Sequence, residues 1–145
     1  MDCEFVTKCF TKEGQDCQTA RVVYEIECKL CQSRTTGDPN AERAVYTGTT
    51  GHSIHKRMLE HAGLLRNGSA KSALDKHRLH KHPQEDKLAM FEARVIQGNI
   101  KLNTSRYIHE SLNIEKLNKD TSVRLLNSKS EWNSNRVNRL TNSNG

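Results

Sequence analysis

Apolar and polar residues alternate along Arg21-Val-Val-Tyr-Glu-Ile-Glu27, with Val22, Tyr24 and Ile26 on one side and only Val23 out of step. This period of two predicts a half-buried β-strand. Ala44-Val-Tyr-Thr-Gly48 predicts a second strand, short and ended by glycine. The intervening residues 32–43 are almost without apolar side chains and contain the turn-forming run Gly37-Asp-Pro-Asn40, so the two strands form a hairpin with a long exposed loop. The pattern then becomes helical. Ser53 caps a helix reaching about Leu65, in which Ile54, Met58, Ala62 and Leu65 make one apolar stripe with Arg57 and His61 beside it. Ser72-Ala-Leu-Asp75 has the form of a capping box and opens a second helix. That helix stops by about Lys81, because His82 precedes Pro83 and is pushed out of the α region. Met90 to Ile96 predicts a third strand, although its Glu and Ala also suit a helix. Thr104 or Ser105 opens a last helix to about Leu117, with Ile108, Leu112 and Glu115 on one line and Arg106, Glu110 and Ile114 on another. From Asn118 onward the chain is Asn- and Ser-rich, and roughly the last five to ten residues are expected to be mobile.

A chain of 145 residues with 34% apolar content fits one domain with a modest core. The pattern divides it into an extension over 1–20 with no assigned role, a folded unit over 21–130 and a polar tail over 131–145. The 23 Lys and Arg against 17 Asp and Glu give a net charge of +6, which favours phosphate-bearing partners. No stretch approaches the roughly 18 apolar residues of a membrane span, and Met1-Asp-Cys-Glu4 lacks the features of a signal peptide, so an intracellular protein without a membrane partner is expected. In a reducing compartment five cysteines point away from disulfides and toward metal ligation. Cys28-x2-Cys31 and His77-x4-His82 supply a donor set for tetrahedral Zn²⁺. Residues five apart diverge by about 140° on a continuous helix, but the break before Pro83 lets His82 turn back toward His77. His80 is the alternative ligand. The same residues also read as two small buried cysteines and a basic histidine surface, and Cys3, Cys9 and Cys17 have no matching histidines.

Two strand tyrosines, a helical Arg-x-x-x-His and a helical Glu are individually ordinary. Their order is less so. Val22-Val-Tyr24, then Val45-Tyr-Thr-Gly48, then Arg57 and His61, then Arg106-x-x-x-Glu110 resembles the GIY-YIG nuclease superfamily over about residues 21–127. Within it, the run from Val22 to Cys31, Tyr46-Thr-Gly-Thr-Thr-Gly51 and Ser72-Ala-Leu-Asp-Lys-His77 are similar to the endonuclease domain of Penelope-like retroelements. Val22-Val23 stands where the family name has Gly-Ile, and Thr47 replaces the central Ile of the second motif. Both changes suit a strand. The longer spacing between the tyrosines is an insertion at a hairpin tip, which costs little.

The resemblance implies an α/β (α+β) fold, a small three-stranded antiparallel sheet flanked by helices, that cuts double-stranded DNA. In that scheme Glu110 holds the catalytic Mg²⁺ or Mn²⁺, and Tyr24, its pKa lowered by the metal and nearby cations, is general base for the attacking water. Tyr46 orients water or phosphate, Arg57 neutralises charge on the phosphoryl oxygens, and His61 bonds the phosphate or assists proton transfer. Asn127 matches the family's late asparagine. Penelope-like endonucleases also carry two cysteines and two downstream histidines, which strengthens the zinc reading of Cys28, Cys31, His77 and His82. A reverse-transcriptase region of the same element is the implied partner, and the nucleus the implied location.

Other function classes compete. A zinc-stabilised DNA-binding module of this fold would need only basic residues, and Lys56, Arg66, Lys71, Arg78 and Lys81 are candidates to track phosphates. A compact His-metal nuclease would need a metal-binding hairpin that the sequence does not offer. A homing, repair or restriction nuclease of the same superfamily would need a separate specificity domain, for which the chain has little length.

Overall fold

The computed structural model describes residues 18–34, 42–68, 72–84 and 91–127. Most of the long hairpin loop, the polar tail and Cys3, Cys9 and Cys17 lie outside them. The alternating segment forms β1 (Ala20–Cys28) and the chain then turns through α1 (Lys29–Arg34). Next come β2 (Arg43–Ser53), α2 (Ile54–Arg66) and α3 (Ala73–Lys81). β3 (Phe91–Gln97), α4 (Asn103–Lys119) and β4 (Val123–Leu125) complete the order. Among the described residues, no helix is long and apolar enough to cross a membrane.

The sheet has four strands where three were expected, in the order β3-β1-β2-β4. β1 is central and antiparallel to both β2 and β3, as the hairpin pattern predicts, whereas β4 runs parallel to β2 at its outer edge. β4 escaped the sequence reading because Val123-Arg-Leu125 is too short to show a period and follows an Asn-rich stretch. β2 also outruns its predicted end at Gly48, since Gly48 and Gly51 sit inside the strand and do not close it. α1 was not foreseen, being only six residues in a segment with no apolar stripe.

Ser53 and Ser72 cap their helices as expected, accepting from the Lys56 and Asp75 amides at 3.2 and 3.4 Å. α4 begins one residue before Thr104, after Leu102 and without a side-chain cap. The buried Arg106 holds this end instead, donating to the Ile100 carbonyl at 2.8 Å and to the Asn103 side chain. Of the two lines predicted on α4, the one carrying Arg106, Glu110 and Ile114 is buried, while Ile108 and Leu112 are exposed.

The period of two in β1 sorts its side chains onto two unlike faces. Val22, Tyr24, Ile26 and Cys28 join Phe91, Ala93 and Val95 of β3 under the α2 stripe of Ile54, Met58, Ala62 and Leu65, with Leu74 of α3. The opposite face, toward α4, carries charge. Glu27 is fully buried and receives two hydrogen bonds from Arg43, at 2.7 and 2.8 Å, and one from Arg94 at 2.8 Å. Arg94 also bonds Glu25, whose other oxygen accepts from Asn113 of α4 at 2.8 Å. A small apolar group, Val45, Leu117 and Val123, closes this side.

Candidate active site and metal centre

Tyr24 is central. Its ring is fully buried on the apolar face, and it lies opposite Gly48 in the β1–β2 pairing. A Cβ at position 48 would stand 2.5 Å from the Tyr24 hydroxyl oxygen and 2.7 Å from Cζ, so glycine there is what makes room for the phenol. α2 supplies the other walls. Arg57 Nε donates to the phenol oxygen at 3.1 Å, and His61 Nε2 lies 2.9 Å from it on the next turn. With one lone pair of the phenol taken by Arg57, the phenol's own hydrogen is free to be donated to His61. That direction requires the neutral imidazole to carry its proton on Nδ1. Burial, and then the Arg57 charge, push His61 down to about 3, which keeps it neutral and able to accept.

The Tyr46 ring packs edge-on against His61 with centroids 5.5 Å apart. The i,i+4 spacing of Arg57 and His61 thus puts both against one phenol, and the pair sits beside the apolar stripe as the helical pattern predicts. Arg57 is shared with Glu60, one turn along α2. Glu110 is buried on α4 and is within electrostatic reach of the Tyr24 phenol.

The surroundings that the chain itself supplies hold the Tyr24 phenol protonated. Burial raises its pKa well above the ordinary tyrosine value, Tyr46 and the Glu110 carboxylate push the same way, and the pull of Arg57 does not offset them. One neighbouring cation is too little to counter loss of solvent around a phenol that is itself fully buried, although Tyr46 and Arg57 beside it are only partly so.

Asn127 sits apart from these groups. Its Oδ1 accepts from the Thr47 amide at 3.0 Å and its Nδ2 donates to the Thr47 carbonyl at 2.9 Å. The side chain thereby imitates a strand residue and continues the β2–β4 ladder one step past the bond from Leu126 N to Val45 O. Both ends of its amide are engaged with backbone.

The second cluster assembles as its spacing predicts. Sγ of Cys28 and Cys31 and one ring nitrogen each of His77 and His82 all lie within 4.8 Å of one another. Cys31 Sγ is 3.5 Å from His77 Nε2 and 3.3 Å from His82 Nε2. A tetrahedral zinc with bonds of about 2.3 Å to sulfur and 2.0–2.1 Å to nitrogen has S···N edges of about 3.5–3.6 Å, close to the two edges that Cys31 makes with the histidines. Hydrogen bonding from Cys31, with a further contribution from His77, holds the Cys28 thiol below its ordinary range, which favours the thiolate that a metal requires. His82 caps α3 with φ −138° and ψ 56°, the break foreseen before Pro83, and this brings its ring to 5.2 Å from that of His77. His80 is exposed and outside the cluster, so His82 is the fourth donor. These four residues can hold a metal ion such as zinc.

Two elements of the sequence reading change. Arg78, a candidate to track phosphates, is buried and bonded to Asp75 at 3.0 Å. Glu25, Glu27, Arg94 and Asn113 were passed over, because alternating charges on a strand look like a solvated face until a helix covers them. Comparison of the chain with protein-family models, with curated proteins and with solved structures finds no match.

Proposed function

We propose that the chain is a metal-dependent DNA endonuclease of the GIY-YIG type, similar to the endonuclease of Penelope-like retroelements. The observation that carries this reading is the grip of Arg57 and His61 on one buried phenol, Tyr24, over a glycine floor at Gly48. A buried phenol in a plain core needs one hydrogen-bond partner. This one has a cation and a neutral base, with a second tyrosine and a carboxylate close by.

In the proposed scheme Glu110 would hold Mg²⁺ or Mn²⁺, a hard cation for which a carboxylate is a suitable ligand. When bound, the cation lowers the pKa of the groups it faces and neutralises phosphate charge. Tyr24 takes a proton from the attacking water while its own passes toward His61 Nε2, 2.9 Å away. Arg57 holds the phenol oxygen and offers its remaining N–H groups to a phosphate. Tyr46 orients the substrate from the other side of His61. Asn127 acts by holding the strand between Tyr46 and Gly48. The Cys28, Cys31, His77 and His82 cluster serves as a structural zinc site that fastens α3 to the end of β1.

A non-catalytic DNA-binding module of the same fold is the second reading, and what favours it is the complete burial of Tyr24. The two differ in the need for Glu110. We expect parent protein to nick DNA only with Mg²⁺ or Mn²⁺, and Glu110→Ala to abolish cutting while DNA binding and zinc content persist. Unchanged cutting by Glu110→Ala would remove the carboxylate from the site.

A further inference from the structure

Thr47 is a buried hydroxyl at a strand position where an apolar residue would fill the same volume. A hydroxyl placed there is unfavourable unless fully bonded, and Thr47 is bonded at every polar atom. Its amide and carbonyl are clasped by the Asn127 side chain at 3.0 and 2.9 Å. Its Oγ1 donates to the Tyr24 carbonyl at 3.0 Å and accepts from Asn113 Nδ2 at 3.1 Å. The other Asn113 N–H goes to Glu25, next to Tyr24 in β1.

Three separate elements therefore meet at one residue, two at its hydroxyl and one at its backbone. β1 brings Tyr24, α4 brings Asn113 one turn beyond Glu110, and the segment after β4 brings Asn127. Thr47 itself lies between Tyr46 and Gly48, the floor under the Tyr24 phenol. The backbone needs such a fix at this point. Pairing of β1 with β3 shifts register between Val23 and Tyr24, and a bulge of this kind leaves the local strand position less determined by its ladder while re-aiming side chains.

We propose that Thr47 is the positioning residue of the site: its hydroxyl locks the Tyr24 backbone to α4, so that the phenol, its glycine floor and Glu110 keep one mutual geometry. This rests on the nuclease reading for its kinetic consequence, though not for its structural one. Valine keeps the shape of threonine but is not equivalent to it, since the Tyr24 carbonyl and an Asn113 N–H lose their shared partner. Serine keeps the hydroxyl.

The test compares Thr47→Val with Thr47→Ser in single-turnover nicking of supercoiled plasmid with Mg²⁺, corrected for the folded fraction, beside DNA affinity and zinc content. Misplacement of catalytic groups by a fraction of an ångström to 1 Å slows reactions by up to ~100-fold. The expected result is a ~10- to 100-fold slower rate in Thr47→Val at unchanged DNA affinity, and recovery to within ~3-fold in Thr47→Ser. Long-range ¹H–¹⁵N spectra of the His61 ring give a readout free of catalysis: the Nε2 signal moves in Thr47→Val and stays in Thr47→Ser. If Thr47→Val does not fold, Asn113→Ala carries the same comparison with Thr47 left in place. A Thr47→Val rate per folded molecule equal to that of the parent, with the His61 signals unmoved, would overturn the proposal. A parent that does not nick removes the nuclease reading alone, and the His61 spectra still decide the positioning role.

Discussion

Tyr24 and Glu25 are neighbours in β1, both buried, and they face opposite sides of the sheet into opposite kinds of order. On the Glu25 side, two carboxylates meet two guanidiniums and an asparagine, each charge answered by another at 2.6–3.0 Å. That arrangement is closed, and its work is to hold β1, β2, β3 and α4 together. On the Tyr24 side, a phenol stands between a cation and a base with its pKa raised and that of His61 lowered. Groups held away from their ordinary protonation behaviour, in a pocket roomy only because Gly48 has no side chain, suit chemistry better than support. Equal burial therefore says little; what distinguishes the faces is whether each polar group is matched by an opposite charge.

Each face can be disturbed separately from the other. The largest effect is expected at the Cys28 end of the Tyr24 face, where Cys28→Ser should release zinc and lower thermal stability more than any other single change, because binding energy at a structural zinc site is folding energy. Metal analysis and thermal unfolding check this; undiminished zinc would remove the site. Next, Arg94→Ala leaves Glu25 and Glu27 short of a partner, and removing one member of a buried ion pair costs about 3–5 kcal/mol. Urea unfolding should report a loss of that order, with the rate per folded molecule little altered. Gly48→Ala drives a methyl into a rigid phenol, an overpacking worth about 1–3 kcal/mol, and its mark should be on cleavage more than on stability. An alanine variant that cuts like the parent would show that the phenol has slack there.

The two faces should also separate by pH, a smaller effect. His61 is held down to about 3 in the folded protein against 6.5 as its reference. The unfolded state then binds the extra proton first, so stability falls as pH drops from about 6.5 toward 3. Glu27 is opposed by burial but held below its reference of 4.5 by Arg43 and Arg94. Its contribution is full above that reference and lost only as pH falls through the lower folded value. Thus His61→Leu should flatten the slope between about pH 6.5 and 5, and Glu27→Gln only the slope below about 4.5. Urea midpoints across pH measure both, and a Glu27→Gln effect above pH 5 would contradict the assignment.

Where the sequence carried a period, it was informative. The β1 alternation, the α2 stripe and the Ser53 and Ser72 caps all have their predicted places, and the stop before Pro83 even selects the side of His82. The Cys-x2-Cys and His-x4-His spacings were legible because zinc chemistry restricts donor type and number. β4 and α1 were not legible, since three and six residues are too few to show a repeat. The charged face was hidden for a different reason: Glu25, Glu27 and Arg94 become core only when α4 covers them, and nothing local in β1 announces a partner 88 residues away in that helix. Thr47 likewise read as a β-branched substitute until Asn113 and Tyr24 were seen to share its hydroxyl.

The most direct test of the central claim is cleavage of supercoiled plasmid by the parent chain and by Tyr24→Phe, with Mg²⁺ or Mn²⁺, at matched DNA binding and zinc content. Loss of one oxygen atom should stop nicking while the fold, the zinc and the affinity for DNA remain. Equal nicking by both proteins would contradict the account, because the phenol on which Arg57 and His61 converge would then have no part in the reaction.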